Sequence, residues 1–201
     1  MSSRRAPADA LASRVKKLDQ LAAELRQGAC FNITRLTLVK RLCAEPAATA
    51  RFALYLAGLT RARMLQEARP SHLGAERWED FKALVSTGVE AMPRYLDEPT
   101  PAALSALRAA HAALEAAQNQ YQHQAWGPVR LIASREAVLV EEAIAGLLFP
   151  YSSADWGYRL ARQQAERYDL HYGAGLVPHS APAVEEIAAF WREARPAPSS
   201  V

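Results

Sequence analysis

The chain is poor in the residues that build sheets, covalent bridges and membrane spans. Of its 201 residues only 20 are valine, isoleucine or threonine, and only 9 are glycine. β-branched side chains supply strands, so their scarcity argues against a large sheet. Cysteine occurs twice, as Cys30 and Cys43, with no Cys-x-x-Cys. Two thiols alone cannot complete a structural zinc site, and both are read as reduced. Cys43 is read as core, and Cys30, just after Gly28, as the more exposed thiol. The longest apolar runs, such as 143–149, fall far short of the roughly 20 residues a spanning helix needs. The N-terminal Met-Ser-Ser-Arg-Arg-Ala-Pro leads into an amphipathic segment rather than an apolar signal core. A cytoplasmic protein that avoids membranes is therefore expected. The chain also lacks Gly-x-Ser-x-Gly, Gly-x-x-x-x-Gly-Lys, Glu-x-x-His and His-x-x-x-His. These spacings seat nucleophiles, phosphates or metals. No catalytic residue, cofactor or metal is expected.

What the chain has in abundance is alanine, 42 residues, and leucine, 24. Both are strong helix formers. Half of the residues are apolar and 22% are charged, as in a globular domain. A chain of this length buries roughly 70% of its unfolded surface, so it needs no disulfide or metal to fold. The reading is all-α: an irregular bundle of about eight helices in one domain over 1–195, with a disordered tail at 196–201.

Periodicity and punctuation place the helices. Leu11, Val15, Leu18, Leu21, Ala22 and Leu25 mark a helix at about 8–27, stopped by Gly28. A second helix is expected at about 33–44, capped by Asn32. Pro46 opens a third, at about 46–68. A fourth covers about 75–91. Three prolines between Met92 and Pro101 then read as a connection, and a subdivision, if present, falls near 92–100. Thr100 caps a fifth helix running to about 125. Gly127-Pro128 breaks the chain before a sixth, at about 130–149. That helix is apolar nearly all round and is expected at the centre. Ser152 or Ser153 starts a seventh, ended by Gly173, and Ser180 with Pro182 starts the last.

Three features stand out against this background. Residues 1–69 carry 13 Lys and Arg against 5 Asp and Glu, while residues 70–201 carry 11 against 16. The basic third, with Arg35, Lys40, Arg41, Arg61 and Arg63, is a candidate surface for phosphates. The helices at 33–44 and 46–68 faintly resemble a helix-turn-helix. The plainer reading is that the basic third packs on the acidic remainder. The second feature is the stripe Leu104, Leu107, His111, Leu114, Gln118 and Tyr121, a heptad-like seam broken by two polar residues. If the fifth and sixth helices fold back on each other about Gly127, His111 lies nearest Glu142, with Glu141 next, and Gln118 lies level with Glu136. Such a His–Glu pair serves either as a satisfied structural contact or as an acid–base or ligand site. The third feature is the group Tyr158, Tyr168, His171, Tyr172 and His179 around the loop 173–178. It is read as an aromatic cover with wet polar tips.

No motif commits the chain to a chemistry. The favoured expectation is a non-catalytic cytoplasmic interaction protein, an adaptor, assembly factor or regulator, with a protein partner or a second copy of itself. One alternative is a helical-bundle enzyme or cofactor- or metal-binding protein built on the polar seam. The other is a nucleic-acid binder using the basic third.

Overall fold

The computed structural model describes residues 6–29, 31–66, 75–124, 132–172 and 180–193. Cys30, the Gly127 turn, the 173–179 loop and the tail fall outside these residues. The side chains of Tyr121, Tyr168, His171 and Tyr172 are likewise not described. The described chain forms α-helices and a 3-10 turn, with no strand among the described residues. The helices are α1 (Ala6–Arg26), α2 (Leu38–Leu42), α3 (Pro46–Gln66), α4 (Ala75–Asp97), α5 (Pro101–Gln124), α6 (Ile132–Leu148), α7 (Ser153–Tyr172) and α8 (Ala181–Glu193). The 3-10 turn, Ile33–Thr37, runs directly into α2.

The helix ends follow local chemistry. Gly28 adopts φ +88°, a left-handed conformation that costs glycine little. Its N–H donates to Leu25 O at 3.0 Å, and Ala29 N–H donates to Glu24 O at 3.0 Å. This pair of bonds is a Schellman motif, which satisfies the last carbonyls of α1. Asn32 Oδ1 accepts the Thr34 N–H at 2.9 Å, and Thr100 Oγ1 accepts the Ala103 N–H at 3.2 Å. Both are side-chain N-caps.

Two sequence expectations need correction. The segment 33–44 is not one helix but a 3-10 turn followed by a five-residue α-helix. Arg35 N–H bonds Asn32 O at 2.9 Å, an i to i+3 bond that tightens the turn. Ile33, Thr34 and Thr37 are β-branched and lose rotamer freedom in an α-helix, which weakens its hold there. The helix-turn-helix resemblance thereby loses its first helix. The segment 92–100 is not all connection either, because α4 continues through Pro93 to Asp97. An internal proline removes one backbone bond and costs about 3 kcal/mol. Met92 is fully buried and Ala91 nearly so, and α4 packs along both α5 and α6. Burying a methionine side chain contributes about 1.5–3 kcal/mol, so packing offsets most of the proline's cost.

The chain divides into two compact units. The first comprises Met1–Thr49 and Ser153–Val201. Here α1 packs on α8, and α2 on α7. Leu18, Leu21, Leu25, Leu36, Val39, Leu160 and Ile187 are buried in it. The second unit is the continuous segment Ala50–Ser152. In it α4, α5 and α6 pack against one another, and Phe52, Leu56, Val85, Leu107, Leu114, Leu139 and Ile144 are buried. Gly88 lies at the meeting point of α4 with α5 and α6. A Cβ there would sit 3.1 Å from Ile144 Cδ1 and Val140 Cγ1, and 3.2 Å from Leu114 Cδ1.

Candidate functional site

The polar seam lies in the second unit, where α5 packs on α6. Leu107 and Leu114 are fully buried on α5, so His111, one turn from each, is drawn towards the same face. Its side chain retains only 12% of its exposure, and its Nε2 lies 2.8 Å from Glu141 Oε1, whose side chain retains 22%. The approach is close in distance but off the direction of a well-formed ring N–H bond. The pair is thus held mainly by charge whenever the imidazole is protonated. The partner is Glu141, one residue before the expected Glu142 along α6.

Burial pushes the Glu141 carboxyl above its ordinary range. The His111 charge opposes that rise, while Glu142 and Glu115 add to it. Glu142 and Glu136 are both buried on α6. Buried carboxylates are rare because desolvation disfavours their charge. Gln118 does not meet Glu136 through its amide nitrogen, which is buried without a hydrogen-bond partner among the described residues. Of the four seam residues singled out from sequence, the structure brings two into contact, His111 and Glu141.

At the C-terminal end of α6 the seam meets an aromatic pair. The Phe149 and His111 rings lie 5.5 Å apart, edge to face at 74°. Phe149 in turn packs edge to face on Tyr151 at 6.4 Å. Both residues are exposed, Phe149 at 47% and Tyr151 at 42%. Sequence reasoning used Phe149 only as a helix end. The available signal was an aromatic residue on each side of a helix-stopping proline, where no apolar stripe calls for either.

The basic candidates are divided between the two units. Arg35, Lys40 and Arg41 belong to the first unit, and Arg61 and Arg63 to the second. Arg35 pairs with Glu24 at 2.5 Å, and its hydrogen bond holds the Glu24 carboxyl below its ordinary range. Lys40 pairs with Asp155 at 2.5 Å and lies over the Tyr158 ring. Arg61 pairs with Glu90 at 2.8 Å. Arg41 is exposed, and its backbone carbonyl accepts a bond from Arg14 at 2.8 Å. Further pairs, Arg26 with Glu185 and Arg192 with Asp19, join the two ends of the chain within the first unit.

The remaining candidates are less built. A cleft of about 400 Å³ between α4 and α5 is lined by Glu90, Arg94, Glu98 and Thr100 among small residues. Cys43 is fully buried, and burial pushes its thiol up to about 12, which removes the thiolate needed for nucleophilic chemistry. No group of three or more His, Cys, Asp or Glu side chains among the described residues is placed to hold a metal ion. No helix among them is long and apolar enough to cross a membrane. No protein-family model, curated protein or solved structure matches the chain.

Proposed function

We propose that the chain is a non-catalytic interaction protein of the cytoplasm, an adaptor, assembly factor or regulator, and that Phe149 and Tyr151 anchor its protein partner. The observation that carries this reading is the exposure of two adjacent large aromatic side chains at the end of α6. Single exposed apolar residues such as Leu65 are ordinary on a protein surface. An adjacent aromatic pair is a common hot spot, because aromatic side chains bury large areas at low entropic cost. Two side chains fall well short of the roughly 800 Å² per partner of a stable interface. They suit insertion into a partner's pocket better than a flat contact between two copies.

The test is co-purification from the native host with the wild-type chain and with a Phe149→Ser, Tyr151→Ser double variant. A stoichiometric partner retained by the wild type and lost by the variant, with unchanged helicity, is the expected result. A partner bound equally by both, or self-association that depends on the pair, overturns the assignment of this surface to a protein partner.

A further inference from the structure

We infer that the Phe149–Tyr151 surface takes an arginine side chain of the protein partner, its guanidinium stacked on the exposed rings and donating to open carbonyls at the end of α6. The inference rests on the proposed role of that pair as a docking surface, and adds the chemistry of what it meets. Pro150 creates the opening. A helical carbonyl accepts from the N–H four residues on, and for Gly146 that residue is Pro150, which has no N–H. For Leu147 it is Tyr151, whose N–H donates instead to Phe149 O at 2.8 Å. The ladder of α6 ends with the bond from Phe149 N–H to Ala145 O at 2.9 Å. Among the described residues neither Gly146 O nor Leu147 O accepts a backbone N–H. Gly146 and Leu147 are only partly buried, so this end of the helix is open to a donor from outside.

A helix end whose carbonyls lack N–H partners carries partial negative charge, which a Lys or Arg in the last turn commonly offsets. The last turn of α6 has no basic residue. The side chains nearby add charge of the same sign. Glu141 and Glu142 lie two turns back on α6, and Glu115 acts on Glu141 from α5. Against these three carboxyls stands the single imidazole of His111. The site therefore draws a cation, and the rings decide which kind. Phe149 and Tyr151 are exposed, and their rings stand at 70° to each other with centroids 6.4 Å apart. A cation within about 6 Å of a ring centroid is attracted to the ring's face. A guanidinium is flat and weakly hydrated, and all five of its N–H donors lie in its plane. It can lie on one ring while its edge donates to the carbonyls. An ammonium is a strongly hydrated point charge and must shed water to make either contact.

The probe is a blocked Gly-Arg-Gly tripeptide titrated into the full chain. Binding is followed by NMR at the Leu147, Phe149 and Tyr151 amides and at the two aromatic rings. The same tripeptide with lysine or citrulline in place of arginine is the comparison. Saturable shifts with a dissociation constant of about 1 mM are expected for arginine. Lysine is expected to bind about five- to tenfold more weakly. Citrulline, which keeps the shape without the charge, is expected not to saturate. The Phe149→Ser, Tyr151→Ser double variant, with unchanged helicity, should weaken arginine binding at least about tenfold. Pro150→Ala, at an exposed position, returns an N–H to Gly146 O and should weaken it about threefold or more. Equal binding of the arginine and citrulline peptides overturns the inference. So does arginine binding that survives the double variant or Pro150→Ala, or a titration that does not saturate by about 20 mM. None of these outcomes needs the partner in hand. A partner lost with the aromatic pair while the arginine peptide fails leaves the docking surface standing and removes the arginine, so the two readings fail separately.

Discussion

At the scale of single residues, the sharpest constraint in the first unit is a glycine. Gly157 sits inside α7, and a Cβ there would fall within the contact radii of Cys43 Sγ and Cβ. Cys43 Cβ is fixed by the backbone and Sγ is only one bond beyond it, so rotation of the side chain cannot relieve the whole clash. Gly157→Ala is expected to destabilise by about 2–3 kcal/mol in thermal melts, despite alanine's higher helix propensity. Adding Cys43→Ala should recover only part of that loss, because the Cβ clash remains. An unchanged melting temperature for the single variant would contradict the packing. The same burial makes Cys43 inert. Its thiol, pushed up to about 12, should resist alkylation in a Cys30→Ser background at neutral pH and react only as the chain unfolds. Rapid labelling of the folded chain would show the site to be open. The core role of Cys43 was legible from residue type alone. Its glycine neighbour was not, because residues 43 and 157 meet only in the tertiary fold. The seam was half legible for the same reason. Periodicity placed His111 on the buried face, but choosing Glu141 over Glu142 depends on the register between α5 and α6, which periodicity within either helix does not fix.

At the scale of the element, helix ends were the most readable features. Gly28, Asn32 and Thr100 act locally, through bonds to residues two to five positions away, so the sequence contains both partners of each interaction. Pro93 shows where such reading fails. Its local cost is visible in sequence, but the burial of Met92 that offsets it belongs to packing on α5 and α6. This makes a test possible. Pro93→Ala should restore a bond from residue 93 to the Val89 carbonyl and gain helix propensity, up to about 3 kcal/mol. It also gives back about 0.4–1 kcal/mol of unfolded-chain entropy. A net stabilisation of about 1–2 kcal/mol is expected, read as a higher urea midpoint at constant slope. A loss of stability would mean that α4 is bent at Pro93 to fit its neighbours.

At the scale of the whole molecule, the charge asymmetry between the chain's first third and its remainder finds internal use. Arg26, Lys40 and Asp19 from the N-terminal third meet Glu185, Asp155 and Arg192 from the C-terminal segment. Arg35 pairs with Glu24 within the third itself. Each exposed pair contributes little to stability, typically 0–1 kcal/mol, yet each removes a cation from the field presented to a polyanion. Binding to nucleic acid depends on how many phosphates are neutralised, and its affinity falls steeply with salt. The chain is therefore expected to bind duplex DNA or hairpin RNA only at low ionic strength, and to release it by about 0.15 M salt, where screening acts over about 8 Å. Freeing the paired cations should move this behaviour in a defined direction. Asp155→Asn and Glu24→Gln release Lys40 and Arg35, and should strengthen low-salt binding and steepen its dependence on salt. If the wild type instead binds below the micromolar range at about 0.15 M salt, cations outside these pairs must form a phosphate site, and nucleic-acid binding would displace the partner-binding reading.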